Sequence, residues 1–162
     1  MEKIRYDEEW LRLLAEQLVI DVTDWMAGVP LTPGAPPGPA DRRPMDAVYV
    51  RMEGELSIWM RMELEPCLVH RLAAHIIGRE PESQEEAREY AAEYFNVLCG
   101  RFLSELCRGK RPKMQFSVPC YEAYPQTTPA AQSELDTVYL RSEQQEQIQF
   151  SWVVYVKNDP AQ

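Results

Sequence analysis

The feature that most constrains the fold is one long amphipathic segment between Ser83 and Gly109. Ser83 and Glu86 have the spacing of a capping box, in which the serine oxygen accepts a free helix amide and the glutamate reaches back. A glycine such as Gly109 commonly follows the last turn of a helix. The segment therefore predicts a helix of about 26 residues, the longest in the chain.

The two sides of this helix differ in chemistry. On a wheel of about 100° per residue, one arc is apolar and should be buried. Its members are Ala87, Ala91, Tyr94, Phe95, Leu98 and Phe102. Glu89, Glu93, Asn96 and Gly100 fall within roughly 60° on the opposite side. Because a glycine inside a helix costs about 1 kcal/mol relative to alanine, Gly100 suggests that room is needed beside Asn96 for another molecule.

The rest of the chain predicts a sheet with helices on one face. Helical periodicity covers residues 7–26, with Trp10, Leu14, Leu18, Val22 and Trp25 as one stripe, and residues 66–78. Alternation predicts strands at 47–53, 55–64, 114–118, 137–141 and 148–156. The connections are short or lack crossover helices, so we expect an antiparallel sheet of about five or six strands. The order of elements is that of a two-layer α+β domain with three main helices.

Length and charge narrow the class of protein. A chain of 162 residues is expected to form a single domain, 1–162, with a proline-rich loop at 28–44 inside it. Its net charge of −9 argues against nucleic acid and anionic membranes as partners. No apolar run approaches the ~18 to 20 residues of a membrane span, and the first residues are not a secretory signal. We therefore expect a cytoplasmic protein.

The metal-ligating residue types are not arranged as a site. No two of the four cysteines have the spacing of a CxxC motif. Cys67, His70 and His75 would fall on different sides of one short helix. We expect no metal or cofactor in this chain.

The polar face of the long helix carries a recognisable motif. Glu93 and Asn96 form an ExxN pair, Gly100 follows, and Pro119 lies twenty-three positions after the asparagine. With these residues the chain resembles the CheC/CheX/FliY family of chemotaxis phosphatases, most closely its single-site CheX-like members. Two positions depart from the family pattern. Glu89 stands where Asp or Ser is usual, and Ser57 replaces a frequent hairpin glycine.

The resemblance implies a function for each motif residue. The substrate would be the aspartyl phosphate of a CheY-like response-regulator receiver domain, and the receiver would supply the divalent cation, which we expect to be Mg²⁺. Asn96 would orient the attacking water, and Glu93 would bind the receiver's lysine. Glu89 would support Glu93, Gly100 would admit the partner, and Pro119 would shape the adjoining surface. Pairing through sheet edges to form a homodimer is also implied.

Two other functions fit the same residues. The chain could be a non-catalytic module that binds a receiver or a flagellar-switch partner, with Glu93 and Asn96 as contacts only. It could also be an assembly protein whose exposed strand edge pairs with a second copy, in which case the charged helix face would serve only solubility.

Overall fold

The computed structural model describes residues 2–3, 7–108, 114–116, 120–123 and 135–156. The helices are α1 Glu8–Ala27, α2 Pro66–Ile77 and α3 Gln84–Leu106, with a short 3₁₀ turn at Pro39–Asp41. The strands are β1 Glu2–Lys3, β2 Leu31–Pro33, β3 Asp46–Gly54, β4 Leu56–Leu64, β5 Met114–Phe116, β6 Cys120–Ala123, β7 Asp136–Ser142 and β8 Gln147–Val156. None of the helices in these ranges is long and apolar enough to cross a membrane.

All eight strands belong to one antiparallel sheet. The order across it is β2-β7-β8-β4-β3-β5, with β1 paired to β8 and β6 paired to β3. The final strand β8 is therefore interior, between β4 on one side and β7 and β1 on the other. The α+β fold that the sequence predicts, with three main helices over an antiparallel sheet, is confirmed.

The β3–β4 hairpin shows why one face of the sheet is the core. Along β4, successive side chains point to opposite faces of the sheet, and this period of two sends Ile58, Met60 and Met62 to the same face. All three are fully buried. Val48 and Val50 of β3 are buried beside them. The helices cover this face and complete the hydrophobic core.

Helix α3 packs on the sheet with the apolar arc that the sequence predicts. Each of the six predicted core residues of this helix is buried, including Tyr94, Phe95 and Phe102. The Phe102 ring lies 5.6 Å, centroid to centroid, from the rings of both Phe150 and Trp152 on β8. Because aromatic pairs at this separation attract beyond their buried area, α3 is held firmly over the central strand.

The stripe predicted for α1 is wrong in part. Trp10 and Trp25 are exposed, at 46% and 67% of their surfaces. The core instead receives a stripe rotated by about one residue, which contains Leu11, Ala15 and Val19. Apolar residues lie on nearly every side of this helix, so periodicity supports more than one arc. The small Ala15 permits the close packing that a tryptophan would prevent.

The proline-rich segment 28–44 is more ordered than its composition predicts. It contains β2, which pairs with β7, and the 3₁₀ turn at Pro39–Asp41. Its far end is fixed by Arg43, whose guanidinium donates to both carboxylate oxygens of Glu65 at 3.0 and 3.2 Å. Strands of two to four residues are too short for alternation to be visible, which is why β1, β2 and β6 were not predicted.

The middle of the proline-rich segment lies beside the face of the sheet that the helices do not cover. Pro36 and Pro37 line a groove with Tyr139 and Gln149. These two sheet residues alternate with the buried residues of β7 and β8 and so belong to the opposite face from the helices. Pro36 and Pro37 therefore lie beside the outer face of the sheet, whereas Val29 and Leu31 of the same segment are in the core.

The ends of α3 differ slightly from the prediction. The helix has 23 residues and ends at Leu106, with Cys107 as its C-cap. Gly109, where the sequence predicts its end, lies outside the described residues.

Candidate functional site

Helix α3 carries a polar face that points away from the core. Glu89, Glu93 and Asn96 are all exposed, and Gly100 is half-buried. Glu93 and Asn96 are separated by one helical turn, a rise of about 4.5 Å. The outward positions expected from the sequence therefore share one solvent-facing strip of the helix.

The start of α3 is fixed by a network of charged and capping groups. The Ser83 hydroxyl accepts the N–H of Glu86 at 3.0 Å, as in the predicted capping box. The Glu86 carboxylate accepts the N–H of Glu82 at 2.6 Å rather than that of the cap residue itself. Hydrogen bonds from the Arg79 guanidinium lower the pKa of Glu86. These contacts set where the helix begins.

A buried hydrogen bond ties α3 to α1 at the level of the motif. Tyr94 lies between Glu93 and Asn96 in sequence but points inward, where its hydroxyl meets that of Thr23 at 2.5 Å. Thr23 also donates to the carbonyl oxygen of Val19 at 2.5 Å. Because the Thr23 proton is used there, Tyr94 must be the donor to Thr23. Burial raises the pKa of Tyr94, so its hydroxyl stays protonated and keeps this role.

Gly100 leaves an opening that the fold itself does not need. A Cβ added to it would meet no atom within 4 Å, apart from the helix's own neighbouring backbone. Its φ is not positive, unlike those of Gly28 and Gly78. Neither close packing nor backbone conformation therefore requires a glycine at this position.

The polar groups of the strip are available to a partner. In the part of the chain that the structure describes, Glu89, Glu93 and Asn96 form no hydrogen bond or ion pair with one another or with other residues. Within the same ranges, no group of three His, Cys, Asp or Glu side chains is placed to hold a metal ion. The strip can thus offer two carboxylates and one carboxamide to a second molecule. Pro119 lies outside the described residues.

One feature beside the strip was not predicted. The guanidinium carbon of Arg101 lies 5.3 Å from the centroid of the Trp25 ring, so α1 places an exposed aromatic residue next to α3. Arg101 directly follows Gly100. The only sequence signal would have been the poor fit of Trp25 to the narrower stripe of Ala15 and Val19. Contacts between helices that are distant in sequence are not visible in periodicity.

Comparison with solved structures shows which proteins share this fold. The structure resembles chemotaxis protein CheX from Vibrio vulnificus, at 17% identity and a TM-score of 0.69 over 95% of this chain and 100% of that one. It also resembles the complex of CheX with CheY, BeF₃ and Mg²⁺ from Borrelia burgdorferi, at 16% identity and a TM-score of 0.64 over 93% and 99%. The middle domain of FliM from H. pylori matches at 12% identity and a TM-score of 0.59 over 93% and 92%.

The chain has the fold of the CheC/CheX/FliY family, as its motif predicts. No family model matches the sequence, and no curated protein matches it either. The structural likeness extends along most of the chain rather than along the motif alone.

Proposed function

We propose that this protein is a CheX-like phosphatase that hydrolyses the aspartyl phosphate of a CheY-like receiver domain. The observation that carries the proposal is the exposed Glu93–Asn96 pair on α3, beside the opening at Gly100, in a chain with this fold. The CheX structure from Borrelia burgdorferi was obtained with CheY, BeF₃ and Mg²⁺, which supports a receiver as the partner. We place the reaction in the cytoplasm.

Asn96 would act on the attacking water. Phosphoryl transfer is accelerated mainly by positioning and by electrostatic stabilisation, so a group that holds water in line with phosphorus is sufficient. A carboxamide both donates and accepts hydrogen bonds and does not titrate. The water oxygen forms a bond to phosphorus while the bond from phosphorus to the aspartyl oxygen breaks. The products are inorganic phosphate and the restored carboxylate of the receiver.

Glu93 would set the register of docking. One turn from Asn96, its carboxylate would accept a charge-assisted hydrogen bond from a lysine of the receiver. Glu89 would add a second carboxylate on the same strip, and Gly100 would allow the backbone of α3 to come close to the partner. The divalent cation, Mg²⁺ in our scheme, would come from the receiver. Pro119 would shape the adjoining surface, as the resemblance implies.

The test is the decay of phosphorylated receivers in the presence of this protein. Candidate CheY-like receivers from the same organism are charged with a small phosphodonor, and phosphate release is followed with and without the chain. The wild-type protein should accelerate release from at least one of them. Asn96→Ala should lower kcat about 10²-fold, the usual cost of removing one preorganised polar group at a reacting centre.

A matched variant separates chemistry from folding. Gln84→Ala removes an exposed carboxamide from the same helix, twelve residues or about 18 Å from Asn96. It should keep full activity, and both variants should unfold within about 0.5 kcal/mol of wild type because their side chains are exposed. Undiminished phosphate release by Asn96→Ala would refute its role.

The second candidate is a receiver-binding module without catalysis. Glu89, which stands where the family usually has Asp or Ser, is the observation that favours it. If the chain binds a receiver but leaves its phosphate release at the spontaneous rate, this function replaces the first. A homodimer remains a prediction under either function.

A further inference from the structure

The last turn of α1 carries a highly exposed tryptophan. Trp25 leaves 67% of its surface in contact with solvent, more than any other large apolar side chain among the described residues. It lies in the last turn of α1, three residues before Gly28 ends that helix in the left-handed conformation. Scattered apolar residues are common on surfaces, so exposure alone indicates nothing. The position of this one relative to α3 is what matters.

Trp25 continues the polar strip of α3 sideways onto α1. Arg101, whose guanidinium carbon is 5.3 Å from the Trp25 ring, follows Gly100 directly. The buried bond from Tyr94 to Thr23 joins the same two helices at the level of the motif. A protein domain that docks on Asn96 and Gly100 is therefore close enough to contact the Trp25–Arg101 pair as well.

The charge of the pair differs from that of its surroundings. The chain carries a net charge of −9, and the strip itself presents Glu89 and Glu93. Two other arginines, Arg88 on α3 and Arg108 just after it, pair with carboxylates, Arg88 with Asp46 at 3.8 Å and Arg108 with Glu105 at 3.6 Å. Arg101 instead lies over an aromatic ring, which orients its guanidinium fork and leaves donors for a further carboxylate.

A docking interface requires more surface area than the residues of the motif supply. A specific protein interface covers about 800 Å² on each partner. Three polar side chains on one helix cannot provide this area, whereas a tryptophan alone contributes about 150–250 Å² when covered. Tryptophan and arginine are also the residues that most often dominate binding energy.

We propose that Trp25 and Arg101 form an auxiliary docking surface for the receiver domain, taking a partner segment that presents an apolar side chain beside a carboxylate. This inference rests on the proposed function and names a second contact for the same partner. Trp25 and Arg101 are positioning residues. They hold the receiver so that its phosphoryl group meets Asn96, and they do not touch the reacting atoms.

The test compares two tryptophans of one helix. Trp25→Ala and Arg101→Ala should each raise the KM for the phosphorylated receiver about tenfold, because each removes a contact that docking covers, with a smaller change in kcat. Trp10→Ala is the matched control. It removes an exposed tryptophan from α1, fifteen residues or about 22 Å away, and should leave both constants unchanged.

Charge reversal at Arg101 and added salt test whether the contact is electrostatic. Arg101→Glu should raise KM more than Arg101→Ala does, because it places a carboxylate against the partner's carboxylate. The difference between these two variants should shrink at high ionic strength, where exposed charges are screened. Equal KM values for wild type, Trp25→Ala and Trp10→Ala would overturn the proposal while leaving the proposed function intact.

Failure of the proposed function is distinguishable from failure of this surface. If the wild-type chain accelerates no receiver, the same variants are titrated against receivers held in the beryllofluoride form, which imitates the phosphoryl group. A roughly tenfold weaker Kd for Trp25→Ala, with Trp10→Ala unchanged, would support the docking surface without catalysis. Unchanged affinity, or no binding by the wild type, would overturn it.

Discussion

The hydroxyls of Thr23 and Tyr94 show how one buried polar contact fixes the position of exposed residues. Tyr94 donates to Thr23, and Thr23 donates to the carbonyl oxygen of Val19. Glu93 precedes Tyr94 and Asn96 follows two residues later, so a rotation of α3 that broke this contact would also move both motif residues. The contact therefore supports the site although neither hydroxyl faces it.

The two partners of this bond should respond unequally to removal. Tyr94→Phe should cost about 1 kcal/mol, because Thr23 keeps its bond to Val19. Thr23→Val should cost about 1–3 kcal/mol, because the Tyr94 hydroxyl is left buried with its acceptor removed. Urea unfolding of the two variants measures the free energies. Equal losses would contradict the direction of donation.

Some residues of the site could be read from the sequence and others could not. The outward placement of Glu93 and Asn96 follows from the spacing of apolar residues on a single helix, which periodicity reports well. Trp25 was assigned to the wrong side of α1, because that helix has apolar residues on nearly every side. Its contact with Arg101 depends on how two helices pack, which neither segment specifies alone.

At the scale of the element, α3 combines a stabilised N-terminus with a destabilising residue in its interior. Its N-terminus has a serine cap, two acidic residues in the first turn and the Arg79–Glu86 pair. Gly100 weakens the same helix. A sequence that strengthens one end of a helix and weakens its interior indicates that the glycine serves something other than stability.

Gly100→Ala should stabilise the protein and weaken its activity toward the receiver. Since the added methyl meets no atom within 4 Å beyond the adjoining backbone, the free energy of unfolding should rise by about 0.5–1 kcal/mol through helix propensity alone. The same methyl should obstruct the receiver and raise its KM. Thermal unfolding and phosphate release are measured together.

Gly78→Ala provides the contrasting control. Gly78 has φ of 80° at the end of α2, so alanine there should lower stability by about 1–2 kcal/mol while leaving the receiver KM unchanged. A Gly100→Ala protein that is stabilised and retains the wild-type KM would show that the opening has no part in docking.

At the scale of the whole molecule, the sheet was predictable in type but not in extent. Short connections indicated antiparallel pairing, and the long strands β3, β4 and β8 have clear alternation. The edge strand β2 is only three residues long and ends in Pro33, so neither its length nor its pattern of apolar residues predicts a strand. A homodimer joined through strand edges would have to use the outer strands, because β8 is paired on both sides.

The free energy of unfolding of the whole protein should fall at alkaline pH. Burial raises the pKa of Cys99 well above its usual value and raises that of Tyr94 as well. In the unfolded chain these groups ionise near about 8.5 and 10. The contribution of Cys99 is therefore complete below about pH 8.5 and that of Tyr94 below about pH 10. Each is lost as the pH rises from there toward the folded pKa, by about 1.4 kcal/mol per pH unit.

Urea unfolding between pH 7.5 and 10.5, with reductant present, measures this slope. Cys99→Ala should be less stable than wild type near pH 7.5, because it leaves a small cavity in the core. Its stability should nevertheless fall less steeply above about pH 8.5. Parallel slopes for the two proteins would show that Cys99 does not carry the effect.

The division of α3 into an inward and an outward side has an evolutionary consequence. Tyr94, Phe95 and Phe102 build the interior, while Glu93 and Asn96 contribute almost nothing to it. Descendants in which the outward pair is replaced would still fold. They could acquire new partners or lose catalytic activity. Selection can thus rewrite one side of the helix while conserving the other, and gain or loss of catalysis requires no new architecture.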